Sequence, residues 1–232
     1  MGCEEKKSDN SGISGPDILD NLQNYNYLLL LTYTIEGYNL IFGPNDETEI
    51  NSIEIIMDNE IIELNNIGDA YYHTFSTPLI GGHNYHFNIT INEENYPSFN
   101  LKMVHIFTNM GVLDNSKEKP KIYWELDNNN LAQRVGGTYY NNSQQNNYEI
   151  FLEPSQRSYR FPSKDQWSYL FVDELNYSEI EDIACLSLTG FNVTIFNNNT
   201  YKMQINTKNY YFDLLRNNVN LLELLIKNKQ GD

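Results

Sequence analysis

Between residues 84 and 92 apolar and polar side chains alternate without a break. Tyr85, Phe87, Ile89 and Ile91 fall on one side, and His86, Asn88, Thr90 and Asn92 on the other. A period of two matches the pleat of a β-strand with one buried and one wetted face. Phe99, Leu101 and Met103 take up the same alternation after Glu93, Glu94 and Asn95, which predicts a hairpin. Similar short stretches predict strands at about 27–34, 38–42, 50–57, 60–64, 70–76 and 98–107. Turn clusters such as Gly43–Pro44–Asn45–Asp46 and Asp58–Asn59 separate them.

The stretch Asn109 to Lys119 mixes Gly, Asp, Asn, Ser, Lys and Glu ahead of Pro120, and it reads as a linker. A second strand series is expected beyond it, at about 121–126, 131–135, 147–152, 157–161, 167–172, 183–195, 200–206 and 209–214. Leu214, Leu215, Val219, Leu222 and Ile226 then recur at helical spacing, while Asn217, Asn218 and Asn220 weaken a helix. Residues 211–227 are read as a terminal amphipathic helix, with a final strand as the alternative. The chain is thus expected to be all-β. A tether covers 1–24, an antiparallel β-sandwich 25–109, a linker 110–119, and a second sandwich with a helical tail 120–232.

Leu79, Ile80, Gly81, Gly82, His83, Asn84 and Tyr85 lead into the alternating strand. They resemble the fibronectin type III pattern, a variety of immunoglobulin-like sandwich, in which a leucine stands six positions before a buried corner tyrosine whose hydroxyl bonds to nearby backbone. Ile195, Phe196, Asn197, Asn198, Asn199, Thr200 and Tyr201 repeat the spacing, and Met203 and Ile205 alternate after it. The resemblance implies structural corners at Tyr85 and Tyr201 and a core role for Trp124 in the second unit. The first unit has no tryptophan. Such sandwiches serve as spacers, adhesion modules and receptors, so the resemblance implies no single activity.

Cys3 and Cys185 are the only cysteines, too few for a disulfide framework or a structural zinc site. Cys185, within Ile183–Ala184–Cys185–Leu186, reads as a small buried thiol. Cys3 follows Gly2 and precedes the polar run from Glu4 to Gly12. This resembles the start of a mature bacterial lipoprotein, which implies a lipid on Cys3, attachment to a membrane and a place in the cell envelope, on the periplasmic or the outer side. A cloning scar is the alternative, and Lys6 stands where a myristoylation motif wants Ser or Thr. The longest apolar run, Leu28 to Leu31, is far too short to span a bilayer.

A net charge of −16 repels nucleic-acid phosphates, and no basic stripe interrupts it. Asn runs such as Asn128–Asn130 punctuate strands and carry no functional weight. His73, His83 and His86 crowd together but read as hydrated surface, so no metal is expected. Asp173, Glu174, Glu179, Glu181 and Asp182 read as a solvated loop around Leu175–Ser178. There is no phosphate-binding Gly loop, no G-x-S-x-G elbow and no H-E-x-x-H pair, so neither catalysis nor a cofactor is expected.

Aromatic side chains are the candidate binding groups. Tyr139 and Tyr140 follow Gly136–Gly137 in a stretch rich in Asn and Gln that reads as a loop. Trp167, with Tyr169, opens a strand after Pro162–Asp165, and core packing competes there with ligand contact. Exposed aromatics beside amides suit stacking on sugar rings or anchoring a protein partner. The expected function is a non-catalytic, lipid-anchored envelope protein presenting a binding or adhesion surface. The alternatives are a carbohydrate-binding accessory lipoprotein and, last, a hydrolase with a dispersed site.

Overall fold

A computed structural model of the chain describes residues 22–44, 48–68, 70–126, 131–197 and 200–205. Cys3, the tether up to residue 21 and the expected helix at 211–227 lie outside the described residues. Among the described residues a 3-10 turn at Leu22–Asn24 is followed by regular elements that are all strands. In the first half they are β1 (Tyr27–Thr34), β2 (Gly37–Pro44), β3 (Ile53–Met57), β4 (Glu60–Ile61), β5 (Asn65–Ile67), β6 (Ala70–Thr74), β7 (Asn84–Ile91), β8 (Glu94–Asn95) and β9 (Phe99–Lys102). The second half holds β10 (Thr108–Asp114), β11 (Lys121–Glu125), β12 (Ala132–Asn141), β13 (Gln144–Leu152), β14 (Ser158–Arg160), β15 (Gln166–Ile180), β16 (Ile183–Asn197) and β17 (Thr200–Ile205). Among the described residues no helix is long and apolar enough to cross a membrane.

The strands form one large sheet and two small ones. The large sheet has nine strands in the order β13-β12-β15-β16-β1-β2-β6-β5, with β17 also on β16. Strands β3, β4, β7, β8 and β9 make a five-stranded sheet, and β10, β11 and β14 a three-stranded one. Each small sheet packs face to face on the large one, which is the sandwich arrangement. Leu29, Leu31, Leu40 and Phe42 of the large sheet share a core with Ile55, Phe87, Ile89, Phe99 and Leu101. Val135, Trp167, Leu170, Val172, Phe191 and Val193 share a second core with Ile122 and Trp124 of the three-stranded sheet.

Strand β1 explains why one sheet runs through both halves. Leu28 to Leu31 are all buried, an apolar run of the kind found where a strand is covered on both faces. Leu29 and Leu31 face the first core; Leu28 and Leu30 join Ile41, Ala70, Leu175, Leu186 and Leu188 on the opposite side. One edge of β1 pairs antiparallel with β2, the other parallel with β16, from Tyr27 opposite Ile183 to Thr32 opposite Leu188. This parallel ladder departs from the wholly antiparallel pairing expected from sequence.

Two expectations for unpaired chain are corrected. Residues 108–114, read as the end of the first unit and the start of the linker, form β10 on β11, with a register break on each side of the pair Gly111–Val112. Asp173 and Glu174, read as part of a solvated loop, lie inside the fifteen-residue β15 and are fully buried. Each has a cationic or proton-donating partner: Arg134 Nη2 donates to Asp173 at 2.7 Å, and His105 N–H donates to Glu174 at 2.6 Å. The partners make burial tolerable.

Candidate functional site

The candidate binding aromatics lie where β12 turns into β13. Asn141 pairs with Gln144 around Asn142 and Ser143, whose φ angles are 50° and 66°. A two-residue turn with both central residues in the left-handed region matches the twist of the strands it joins, and Asn tolerates that region well. The amide-rich stretch expected as a loop is therefore a hairpin, with Tyr139 and Tyr140 on its first strand. Gly137 lets β12 lie close on β15, since a Cβ there would run into the Tyr169 carbonyl.

Alternation sends the two tyrosines to opposite faces. Tyr139 turns inward, where its ring centroid lies 5.1 Å from that of Trp167, and Lys164 Nζ stands 4.5 Å above the same ring. Trp167 is fully buried, and its indole N–H donates to the Pro162 carbonyl at 3.0 Å. It packs with Tyr148, Phe161 and Tyr139, and so acts from beneath as a support. Tyr140 is 37% exposed. With Asn142, Ser143, Asp165 and Gln166 it lines an open cleft of about 490 Å³. The Asn142 backbone N–H donates to Asp165 at 3.3 Å, tying the turn to the loop before β15.

The cleft combines one accessible aromatic ring with two amides, a hydroxyl and a carboxylate. Such a set can stack on a flat apolar face and exchange hydrogen bonds with hydroxyl groups around it.

The other singled-out residues lie elsewhere. Tyr85 is 7% exposed, and its hydroxyl accepts the backbone N–H of Ile80 at 2.8 Å. Tyr201 does not form a second buried corner, being 43% exposed. It stands directly across from Ile195 in the β16–β17 ladder, so the six-residue spacing is a product of hairpin register. His73 bonds to the Glu63 carbonyl, His86 to Asn100, and His83 stands 3.7 Å from Asp58. Among the described residues no group of three or more His, Cys, Asp or Glu side chains is placed to hold a metal ion. Cys185 is buried, and burial pushes its thiol well above the ordinary value.

A buried charged row escaped the sequence reading. Arg134 reaches Asp173 at 2.7 Å and Glu149 at 3.3 Å, with its guanidinium 5.2 Å from the Phe171 ring centroid. Next to it Glu174 binds His105, and Gln133 accepts the Trp124 indole N–H at 2.8 Å. The one signal was ionisable residues set among strand-like alternation, as in Leu131–Val135 and Leu170–Leu175.

No protein-family model matches the chain, and no curated protein matches it. Among solved structures it is similar to a two-domain fibronectin type III segment of chicken tenascin, with 10% identity, a TM-score of 0.26, and coverage of 78% of this chain and 97% of that one. It is also similar to the FN1–FN3 domains of chicken CNTN1, with 9% identity, a TM-score of 0.24, and coverage of 79% and 68%. A third is a DUF4785 family protein from Legionella pneumophila, with 12% identity, a TM-score of 0.28, and coverage of 63% and 50%.

Proposed function

We propose that this chain is a non-catalytic, lipid-anchored protein of the bacterial cell envelope that presents its binding cleft away from the membrane. The supporting observation is the placement of the two ends of β15. Residues entering from the tether are tied to the β15–β16 turn: Tyr27 N–H donates to the Asp182 carbonyl at 3.1 Å, Asn26 to the Asp182 carboxylate at 2.7 Å, and Tyr25 bonds Glu179. Tyr140 pairs with Gln166, at the other end of the same strand. At the usual rise per residue β15 spans about 45 Å. A lipid on Cys3 then holds one end of the sheet at the membrane and turns the cleft outward. Mass spectrometry of the native protein tests the anchor, with an acylated Cys3 expected and an unmodified thiol overturning it.

For the ligand, a glycan is the second and narrower reading, favoured by the accessible Tyr140 ring beside Asn142, Ser143 and Gln166. Glycan-array binding by the purified chain tests it. A signal lost in Tyr140→Ala with an unchanged melting temperature supports sugar binding, whereas no signal leaves a protein ligand.

A further inference from the structure

The polar side chains that line the cleft are largely uncommitted within the fold. Among the described residues the amides of Asn142 and Gln166 and the hydroxyl of Ser143 enter no side-chain hydrogen bond, and the Tyr140 ring meets no other ring. Gln166 stands directly across from Tyr140 in the β12–β15 ladder, so amide and ring are neighbours on one face. Asp165 comes one residue earlier and is exposed. It accepts the Asn142 backbone N–H, its one hydrogen bond among the described residues.

Charge is out of balance at this spot. No Lys, Arg or His among the described residues pairs with Asp165. Lys164, adjacent in sequence, holds its Nζ 4.5 Å above the Tyr139 ring, and Tyr139 turns to the face opposite Tyr140. The cleft therefore joins a carboxylate to an electron-rich ring face, in a chain of net charge −16, with the neighbouring cation directed elsewhere. Ring quadrupole, carboxylate and overall field all favour a positive ligand and repel an acidic one.

We infer that the cleft takes a glycan bearing free amino groups, with its ammonium drawn to the Tyr140 ring and the Asp165 carboxylate. This rests on the glycan reading of the cleft and narrows it to one charge class. The amides of Asn142 and Gln166 and the hydroxyl of Ser143 suit the sugar hydroxyls around that ammonium. A lysine side chain brings a cation but no hydroxyls for them, which sets an amino sugar ahead of a basic peptide.

The test is isothermal titration calorimetry of the full chain with a glucosamine tetramer and its N-acetylated counterpart of the same linkage, at a pH where the amines are protonated. Acetylation removes the charge and keeps the ring and its hydroxyls. The amine form is expected to bind at least about threefold tighter, with the gap shrinking as salt rises. Asp165→Asn keeps an oxygen acceptor for the Asn142 N–H and is expected to remove most of the gap. Glu60→Gln removes an exposed carboxylate on β4 of the five-stranded sheet and is expected to leave the gap unchanged, which separates the cleft from the overall field. Equal affinity for the two sugars, with both lost in Tyr140→Ala, overturns the inference and leaves the glycan reading standing. Binding that survives Tyr140→Ala at an unchanged melting temperature overturns both. No binding of either sugar overturns the inference, and the glycan array then decides the reading beneath it. A tetralysine peptide that binds more tightly than the glucosamine tetramer, and is released by Asp165→Asn, overturns the sugar class.

Discussion

The carboxylate of Glu174 accepts the backbone N–H of His105 at 2.6 Å and stands 3.1 Å from Nδ1 of its ring. The two residues are 69 positions apart, and their bond clamps the segment after β9 to the middle of β15. Burial raises the carboxyl of Glu174 above its ordinary value, while the hydrogen bonds and charge of His105 oppose the rise. A raised folded value means that the folded chain holds the proton more tightly. The contribution to stability is then complete below the unfolded value of 4.5 and lost as pH climbs through the raised one. Glu174→Gln keeps an acceptor for His105 and abolishes this titration. The variant is expected to gain on the wild type as pH rises from 4.5 toward neutrality, read by urea denaturation across that range. A difference that does not change with pH would count against this role.

Arg134 and Asp173 are a buried ion pair, 5% and 1% exposed at the side chain. Removing one partner takes away the countercharge that the other meets 2.7 Å away and out of water. Arg134→Met is therefore expected to cost about 3–5 kcal/mol in chemical denaturation. The double variant Arg134→Met with Asp173→Asn recovers the larger part of that loss, because the fully buried carboxylate is gone and Glu149, which also loses Arg134, is 21% exposed at the side chain and reached by water. Additive costs in the double-mutant cycle would show that the two are not coupled.

The two tyrosines with matching sequence spacing differ in structure and should differ in response. Tyr85→Phe removes the acceptor of the Ile80 N–H and is expected to cost about 1–2 kcal/mol. Tyr201→Phe, at an exposed hydroxyl, is expected to stay within about 0.5 kcal/mol of wild type. Thermal melts of both variants make the comparison, and equal losses would restore Tyr201 as a corner.

Gly82 has φ of +79°, and a Cβ there would come 2.8 Å from His105 Nε2. Gly37 has φ of +111° with open space around it. Alanine at Gly37 meets backbone strain alone, about 1 kcal/mol; at Gly82 it also displaces a ring that Glu174 holds, for a total of about 2–3 kcal/mol. Denaturation midpoints check the order, and the Gly82→Ala excess is expected to vanish when His105 is replaced by alanine.

What could be read from sequence followed from local pattern. The β7–β9 hairpin was legible because Tyr85, Phe87, Ile89 and Ile91 alternate cleanly against polar neighbours, and Trp124 stands buried in the second core. The β12–β13 hairpin was hidden because glycines and amides carry no hydrophobic alternation, leaving two positive-φ residues as its one local mark. Charge misled in β15: carboxylates usually signal water, and the partners that make burial possible, Arg134 and His105, lie far away in sequence. For the candidate site, Tyr140 was named from its setting. Its cleft partners Asp165 and Gln166 come from another strand's approach, which no window of sequence displays.

The parallel ladder between β1 and β16 also governs the order in which the fold can be completed. When β1 leaves the ribosome its antiparallel neighbour follows within a few residues, but its other edge has to wait for Ile183–Leu188. Through most of synthesis Leu28 to Leu31 belong to an unfinished sheet, apolar on both faces and open along one side. Non-local pairing of this kind folds slowly and exposes the nascent chain to aggregation. A protein built this way depends on its last third to protect its first strand.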